Sequence, residues 1–319
     1  MRVSVVIPAF DAERTVGAAI SSALWQTYRD LEVVVVDDGS GDSTGMLAAG
    51  FPEPVRVVRR ENGGVAAARN QGIAEARGEL IAFCDADDVL LPLHLEALVE
   101  VYDRAGGIAT SNCYWLFDAG IHPSRVRYKS GFPRPERQRL AILEQNFVST
   151  MSLFPKTLWE ELGGFDEELA LAEDWDFWLR AILAGRRVAL QPRPLALYSW
   201  RGDSLAADPA RMDEHVRTLL GKALARNDLV PEERQYLKRR LAGPGPAELG
   251  RQGDAALRAG RYREAAASYR AAADLCPTEP ALRRKALVLR PAPWLTGPLV
   301  RARQLRIERA VGFGEGHAR

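Results

Sequence analysis

Residues 32–40 read Glu-Val-Val-Val-Val-Asp-Asp-Gly-Ser, in which four consecutive valines end at two acidic residues and a turn. An apolar, β-branched run of this length between turn signals is typical of a strand buried on both faces. Segments of helical spacing separate this run from similar ones, and the alternation predicts a doubly wound α/β fold. The predicted strands are Val3–Ile7, Glu32–Val36, Val55–Val58 and Leu80–Phe83, and the predicted helices are Glu13–Tyr28 and Val65–Ala76.

The α/β pattern continues more weakly to about residue 205. Around residues 110–150, three prolines interrupt any periodicity, which favours loops there. Apolar spacing nevertheless predicts a helix over 137–146 within this stretch, and it predicts further helices over 92–105 and 173–184 and short late strands at Val188–Leu190 and Leu195–Tyr198.

The composition is that of an ordinary globular protein. The 319 residues are 47% apolar and 27% charged, and 43 basic residues against 42 acidic ones give a net charge of +1. Because no basic field covers the whole molecule, we expect no nucleic-acid partner. The three cysteines lack zinc-ligand spacing and are odd in number, which suits a reducing compartment. The first apolar run is too short for a signal peptide, and no run approaches a membrane span of about 20 residues, so we expect a cytoplasmic location.

Two clusters of aspartates stand where predicted strands end. Asp37 and Asp38 follow Glu32–Val36, and Asp85-Ala86-Asp87-Asp88 follows Leu80–Phe83. Ligands of open α/β sheets bind outside the carboxyl ends of the strands, so both clusters are expected to border one crevice. Crowded carboxylates repel one another and any phosphate unless a hard cation lies among them, which predicts Mn²⁺ or Mg²⁺. The alternative is that each aspartate merely starts a turn by accepting hydrogen bonds from backbone amides.

A third acidic cluster, Glu173-Asp174-Trp175-Asp176, opens a segment of helical spacing. Acidic residues in a first helical turn are favoured by the helix dipole alone, which is a purely structural explanation. A transferase that acts on an alcohol also needs a carboxylate near the acceptor to receive its proton. Asp174 is therefore the candidate general base, with Glu173 and Asp176 as the next candidates.

Six segments occur in order along the chain: Val3–Asp11, Val35–Ser40, Ala68–Gly72, Asp85–Asp88, Gly163–Glu167 and Glu173–Asp176. In this order they resemble the motifs of family 2 inverting glycosyltransferases. The resemblance covers residues 1–205 and implies a GT-A fold with a doubly wound mixed sheet. It also implies a nucleoside-diphosphate sugar as donor, inversion at the anomeric carbon, and an acceptor hydroxyl on a saccharide, lipid-linked or protein acceptor.

Carried over position by position, the resemblance implies a role for individual residues. Asp85 would lie at the ribose and the metal, Asp87 would bind the metal, and Asp174 would be the base. The residues implied to surround the nucleotide are Pro8, Phe10, Asp11, Asp38 and Arg69.

The sequence departs from the family pattern after the base. The family often has a histidine in Tyr-Arg-x-His-x-x-Ser, whereas this chain reads Tyr198-Ser199-Trp200-Arg201-Gly202-Asp203-Ser204. If Arg201 occupies the histidine position, a third protein ligand to the metal is in doubt. Arg201 would instead pair with diphosphate oxygens, which its forked donors suit.

Two other functions stay open at this point. Gly39-Ser40-Gly41-Asp42-Ser43-Thr44-Gly45 resembles a stretched dinucleotide fingerprint, which would indicate an NAD(P)-dependent oxidoreductase. Against it, Asp37 and Asp38 would oppose the pyrophosphate that such a loop binds. A non-catalytic interaction protein would use the C-terminal region and leave the aspartates without a role.

The C-terminal third divides into a helical extension and linker (206–246), a helical hairpin (247–281) and a basic tail (282–319). Gly243-Pro244-Gly245-Pro246 cannot continue a helix and is read as the linker. Residues 249–277 resemble one tetratricopeptide repeat, and a single copy is expected to pack on the catalytic domain or on a partner. Residues 281–319 carry a local charge of +7, which favours peripheral contact with the inner face of the cell membrane. The alternative is a solvated basic tail, because Arg306 falls near Leu299 on a helical wheel and the apolar face is poorly separated from the charged one.

Overall fold

A computed structural model of the chain describes residues 1–117, 120–129, 131–200, 209–290 and 293–310, with the side chains of 122–125, 209–210, 293 and 306–310 outside the description. The chain divides into two compact units. The first comprises Met1–Asp208 and Arg226–Leu229, and the second comprises Pro209–Ala225 and Val230–Arg319.

The first unit is built on one nine-stranded mixed sheet, in the order β3-β2-β1-β4-β8-β6-β9-β5, with β7 paired to β6. Strands β1 to β4 are mutually parallel, β8 is antiparallel to both β4 and β6, and β9 is parallel to β6. The strands are β1 Val3–Ala9, β2 Leu31–Asp37, β3 Val55–Arg59, β4 Leu80–Phe83, β5 Val89–Leu90, β6 Ile108–Phe117, β7 Gly120–Val126, β8 Ser152–Pro155 and β9 Val188–Ser199. The α/β fold with a doubly wound mixed sheet is thus confirmed.

Helices cover both faces of the parallel half of the sheet. Val33 and Val35 belong to the large core on one face, whereas Val34 and Val36 pack with Ala68 on the other. This alternation explains why β2 is apolar without interruption. The helices of this unit are α1 Val16–Leu24, α2 Thr44–Ala49, α3 Val65–Glu75, α4 His94–Ala105, α5 Gln138–Glu144, α6 Lys156–Leu162 and α7 Glu173–Leu183.

Some predicted elements need correction. The helix predicted over Glu13–Tyr28 spans only Val16–Leu24, because residues 12–15 form a turn before it. The two late strands are one strand, β9, whose register with β6 shifts near Pro192 and Pro194. The stretch read as loops contains the strands β6 and β7.

The second unit is helical throughout its described part. Five of its six helices begin with proline, which fits the first helical position because its missing N–H would be unpaired there. Gly253, in the helix Pro246–Arg258, lies against Tyr269, in the helix Tyr262–Leu275. A Cβ added at Gly253 would come within 2.8 Å of the Tyr269 ring. The helices are α8 Pro209–Leu224, α9 Pro231–Leu241, α10 Pro246–Arg258, α11 Tyr262–Leu275, α12 Pro280–Leu289 and α13 Pro293–Ala310.

The hairpin of α10 and α11 buries its apolar face inside its own unit. Its core residues Leu257, Ala265 and Tyr269 share a cluster with Leu289 of α12. Asp254 accepts a hydrogen bond from Tyr269 and pairs with Lys285 of α12 at 2.5 Å. Helix α12 therefore covers the apolar face of the hairpin, whereas the sequence predicts that the catalytic domain or a partner would cover it.

Candidate active site

The carboxyl ends of β1, β2 and β4 meet at one edge of the sheet, because these neighbouring strands are parallel. The acidic residues that follow β2 and β4 consequently lie at this edge, which is where the sequence predicts a crevice. Between α3 and this edge the packing is tight. A Cβ on Gly72 would lie 2.4 Å from Val6, so only glycine lets α3 approach the sheet this closely.

Asp38 is buried after β2 and organises the loop that leads into α3. Its two oxygens accept hydrogen bonds from the amides of Gly63 and Gly64, at 3.1 and 2.8 Å. Arg60 pairs with the same carboxylate at 3.1 Å. The backbone at Gly64 has φ +87°, a region that favours glycine, so the carboxylate stabilises a turn that this residue permits.

The end of β1 carries the other residues implied for the nucleotide. Pro8 is buried and pairs in register with Val36, which places it beside the end of β2. Phe10 exposes 52% of its surface and lies at the crevice edge. Asp11 follows with φ 46° and accepts a hydrogen bond from the amide of Gly41 at 2.9 Å.

The glycine-rich loop after β2 has its amides bound by carboxylates. Asp37 accepts from the amide of Ser40 at 3.0 Å, and Asp42 accepts from the amide of Thr44 at 2.9 Å. Together with the bond from Gly41 to Asp11, these contacts occupy the donors that a pyrophosphate would need. The loop therefore gives no support to the dinucleotide-binding interpretation.

The aspartates after β4 differ in their surroundings. The side chain of Asp85 is 26% exposed, and Asp87 is also half-buried. Asp88 is buried and accepts a hydrogen bond from the amide of Ser199 at 2.8 Å, whereas its Oδ2 has no partner among the described residues. Burial, followed by the charges of Asp85 and Asp87, raises the pKa of Asp88 well above its ordinary value.

Arg69 of α3 connects the aspartate cluster to the start of α7. Its guanidinium is 2% exposed, donates to Oδ1 of Asp85 at 2.9 Å and also donates to Glu173. The rings of Phe83 and Phe165 lie 5.3 and 5.8 Å from its central carbon. Burial by itself would lower the pKa of Arg69, but Asp85, Glu173 and Asp174 raise it, so the cation is permanent.

Glu173 and Asp174 open α7 after a left-handed residue, Ala172, at φ 62°. Burial raises the pKa of Glu173 to about 7, although Arg69 opposes the rise and Asp174 adds to it. The pKa of Asp174 is also raised by burial against the opposing charge of Arg69. A half-buried carboxylate with a raised pKa is suited to accept a proton near neutral pH.

Asp174 holds one hydrogen-bond donor on each oxygen. The amide of Trp175 donates to Oδ1 at 2.7 Å, and the side chain of Asn146 donates to Oδ2 at 2.9 Å. Asn146 is the residue of this site that the sequence reasoning missed. Its position 28 residues before Asp174, at the last residue of the helix predicted over 137–146, carries no local signal of the contact.

Asp176 stabilises the neighbouring loop, residues 162–167, through Arg180. It pairs with Arg180 at 2.7 Å, and Arg180 donates to the carbonyl oxygens of Leu162 and Gly164. Asn70, beside Arg69, binds the same loop through the backbone of Phe165. The motif residues 163–167 thus meet α3 and α7 at one place. Arg201 lies outside the described residues.

Comparison with known proteins decides the family. The family model described as "Glycosyl transferase family 2" matches residues 4–163, which is half of the chain. The chain belongs to glycosyl transferase family 2. The match includes the ends of β1, β2 and β4, and it gives no support to an oxidoreductase or to a non-catalytic interaction protein.

Two curated relatives illustrate the reach of the similarity. The succinoglycan biosynthesis protein ExoO of Rhizobium meliloti is 33% identical over 282 residues, covering 76% of this chain and 79% of the relative. An uncharacterised glycosyltransferase of Rickettsia typhi is 29% identical over 185 residues, or 56% of this chain. The chain spans 58% of the length of that rickettsial protein.

Solved structures show the same fold. TarS residues 1–349 from S. aureus, crystallised with UDP-GlcNAc, superimpose with a TM-score of 0.62 and 18% identity, covering 98% of this chain and 92% of that one. The mannosyltransferase PcManGT of Pyrobaculum calidifontis, in complex with GDP-Man and Mn²⁺, gives a TM-score of 0.59 and 20% identity, covering 94% and 87%. These identities support the fold alone.

Proposed function

We propose that the protein is an inverting, metal-dependent glycosyltransferase that moves a sugar from a nucleoside-diphosphate sugar to an acceptor hydroxyl. One observation carries the proposal beyond family membership. Arg69 binds Asp85, which we assign to the donor, and Glu173, which precedes the proposed base Asp174. The donor side and the acceptor side of the crevice are therefore held together by one buried cation.

The donor is proposed to lie along the ends of β1, β2 and β4. Pro8, Phe10, Asp11 and Asp38 would border its nucleotide, and Asp85 its ribose. Arg69 would act here through Asp85, because its guanidinium is buried and both terminal nitrogens are bound to carboxylates. Arg201 would meet the diphosphate. Complexes of structural neighbours with UDP-GlcNAc and with GDP-Man are consistent with a donor of this class.

Asp87 and Asp85 are proposed to hold Mn²⁺ or Mg²⁺. Their carboxylate oxygens suit a hard cation. Negative charge is crowded in this cluster, because the charges of Asp85 and Asp87 add to burial in raising the pKa of Asp88. Among the described residues, no group of three or more acidic, histidine or cysteine side chains is arranged to hold a metal. Asp85 and Asp87 would supply two of the ligands, and the bound cation would neutralise charge on the departing diphosphate.

Asp174 is proposed to take the proton of the acceptor hydroxyl as its oxygen attacks the anomeric carbon. Inversion in one displacement places the acceptor opposite the leaving diphosphate. The proposed base lies in the first turn of α7, and the proposed metal ligands follow β4. The Mn²⁺ complex of a neighbour and the biosynthetic role of ExoO support a transferase in polysaccharide or glycoconjugate synthesis.

Two substitutions distinguish the donor side from the base. Asp87→Ala should abolish transfer together with Mn²⁺-dependent donor binding, and chelation of the metal in the unchanged protein should have the same effect. Asp174→Asn should lower the transfer rate about a hundred- to ten-thousand-fold and leave the donor dissociation constant unchanged, because it removes only general-base catalysis. Screening common nucleotide sugars for Mn²⁺-dependent hydrolysis would first identify the donor.

Either of two results would contradict this assignment. Full activity of Asp87→Ala in the presence of chelator would exclude the metal role. Equal loss of donor affinity in both variants would place Asp174 in the donor site, and the base would have to be sought elsewhere.

The C-terminal unit is proposed to bring the enzyme to the inner face of the cell membrane from the cytoplasm. Trp294, Leu295 and Leu299 are 63–73% exposed on α13. Close by, a cavity of about 510 Å³ is lined by apolar side chains together with Arg284, Lys285 and Arg303. Apolar groups beside cations suit a surface of anionic lipid, where each basic residue contributes about 1 kcal/mol. No helix in the described part of the chain is both long enough and apolar enough to cross a bilayer.

The tetratricopeptide resemblance of residues 247–281 remains a proposal. It is supported by the helical hairpin and by the close approach of Gly253 to Tyr269. In this interpretation α12 replaces the neighbouring repeat and closes the apolar face of the hairpin.

A further inference from the structure

Asn146 lies between α5 and β8 and reaches the start of α7. Its Nδ2 donates to Oδ2 of Asp174 at 2.9 Å. Among the described residues, the other oxygen of that carboxylate accepts a hydrogen bond only from the adjacent amide of Trp175. Asn146 is therefore the side chain from another element that orients the carboxylate of Asp174.

The surroundings of Asn146 determine which way its amide points. The backbone N–H of Val148 donates to Oδ1 of Asn146 at 3.1 Å, so the carbonyl side of the amide faces its own loop. The NH₂ side is then directed at Asp174. Nη2 of Arg127 donates to the carbonyl oxygens of Asn146 and Val148, at 3.3 Å each, and holds this loop in place.

We propose that Asn146 is a positioning residue that fixes the carboxylate of Asp174 in the orientation needed to receive the acceptor proton. The proposal rests on the role of Asp174 as the base. The terminal torsion of an aspartate is broad and roughly two-fold, so a bond to one oxygen from the adjacent amide restrains it weakly. A second donor, the amide of Asn146 in the loop between α5 and β8, selects one orientation of the carboxylate. Because a misplacement of about 1 Å can cost a hundredfold in rate, this restraint matters for transfer.

The contact also accounts for a polar group at an otherwise hydrophobic place. Phe147 and Val148, which directly follow Asn146, are buried, at 4% and 0% exposure. An asparagine between α5 and Phe147 would cost stability if its amide were unpaired. Here both ends of the amide are bound, and one of the two bonds goes to the proposed base.

The test compares Asn146→Ala and Asn146→Asp with the unchanged full-length protein. Asn146→Ala removes the donor and should lower kcat about ten- to a hundredfold with an unchanged donor dissociation constant. Asn146→Asp keeps the size and the acceptor for Val148 but presents a second carboxylate to Asp174, so its kcat should fall at least as far. Gln145→Ala is the matched control, because Gln145 is the neighbouring amide and its side chain makes no hydrogen bond to the described residues.

A double-mutant cycle separates positioning from a structural role. If Asn146 acts through Asp174, then Asn146→Ala should slow the Asp174→Asn protein less than twofold, because the group it orients is already inactive. An equal slowing in both backgrounds, or wild-type kcat in Asn146→Ala, would overturn the inference while leaving the base assignment intact. Wild-type kcat in Asp174→Asn alone would instead overturn the base assignment, and the inference with it. Urea midpoints of all variants establish that each rate belongs to folded protein.

Discussion

Arg69 and Asp85 form a 2.9 Å ion pair beneath the crevice, in which the arginine is almost fully buried and the aspartate is about one-quarter exposed. The second terminal nitrogen of the same guanidinium is bound to Glu173, whose side chain is 9% exposed. Lysine has the charge but not the forked geometry needed to bind two carboxylates at once. The guanidinium of Arg69 thus joins α3 to the start of α7, and Arg69 and Glu173 are 104 residues apart in the sequence.

We expect Arg69→Met to lower the free energy of unfolding by about 3 to 5 kcal/mol, because it leaves buried carboxylates without their cation. Arg69→Lys should fold but lose at least tenfold in transfer rate, since it can retain only one of the two contacts. The control is Arg186→Met, which breaks an ion pair with Glu161 that is about half exposed on both sides and should cost at most about 1 kcal/mol. Equal urea midpoints for Arg69→Met and Arg186→Met would contradict the expectation.

Glu173 should make the stability of the protein depend on pH. Burial raises its pKa from 4.5 to about 7 in the folded state, so the folded chain binds more protons than the unfolded chain between these values. This contribution to stability is complete below about pH 4.5 and is lost as the pH rises through 7. Glu173→Gln should therefore reduce the difference between urea midpoints measured at pH 5 and pH 8. The same difference in variant and wild type would show that Glu173 does not titrate in this way.

Gly163 and Gly164 offer a matched pair of substitutions in the loop that Asn70 binds. Both have positive φ, at 72° and 83°, so alanine at either position should cost about 1 kcal/mol for the backbone alone. A Cβ at Gly164 would also lie 2.9 Å from Oδ1 of Asn70, whereas one at Gly163 would meet nothing within 4 Å. Thermal unfolding should thus show a larger loss for Gly164→Ala than for Gly163→Ala. A larger loss for Gly163→Ala than for Gly164→Ala would show that Asn70 moves away from the added Cβ without loss of stability.

The strand ends of the parallel half could be predicted from the sequence because local pattern decides them. Leu80–Phe83 has its predicted bounds, and the aspartates behind it lie at the crevice edge because neighbouring parallel strands end together. In β6, by contrast, Thr110, Ser111 and Asn112 are buried polar residues. They interrupt the apolar run on which strand prediction depends, so hydropathy gives no sign of this strand.

The contacts that complete the site are harder to predict. Asn146 lies in the loop before β8, which is antiparallel to both β4 and β6, and no local pattern encodes that pairing. The partner of Asp85 is equally invisible in the sequence. An arginine in α3 can be assigned to a nucleotide by resemblance, but its burial between two carboxylates depends on how α7 packs.

The exposed apolar residues of α13 should govern binding to anionic vesicles. We expect Trp294→Ser combined with Leu299→Ser to weaken co-sedimentation with vesicles that contain phosphatidylglycerol, because these side chains are 66% and 73% exposed. Met46→Ser is the control, since Met46 is 71% exposed but lies on α2. Binding should also weaken with added salt. Equal sedimentation of all three proteins, or of wild type with and without anionic lipid, would exclude the membrane role.

The loop between β2 and α2 has a consequence for inhibitor chemistry. The amides of Ser40, Gly41 and Thr44 already point at side-chain oxygens. A compound that carries a phosphate mimic toward this loop would find acceptors where it needs donors, and would lose affinity for each carboxylate it displaced. Scaffolds that present uncharged or cationic hydrogen-bond donors there would match the loop better.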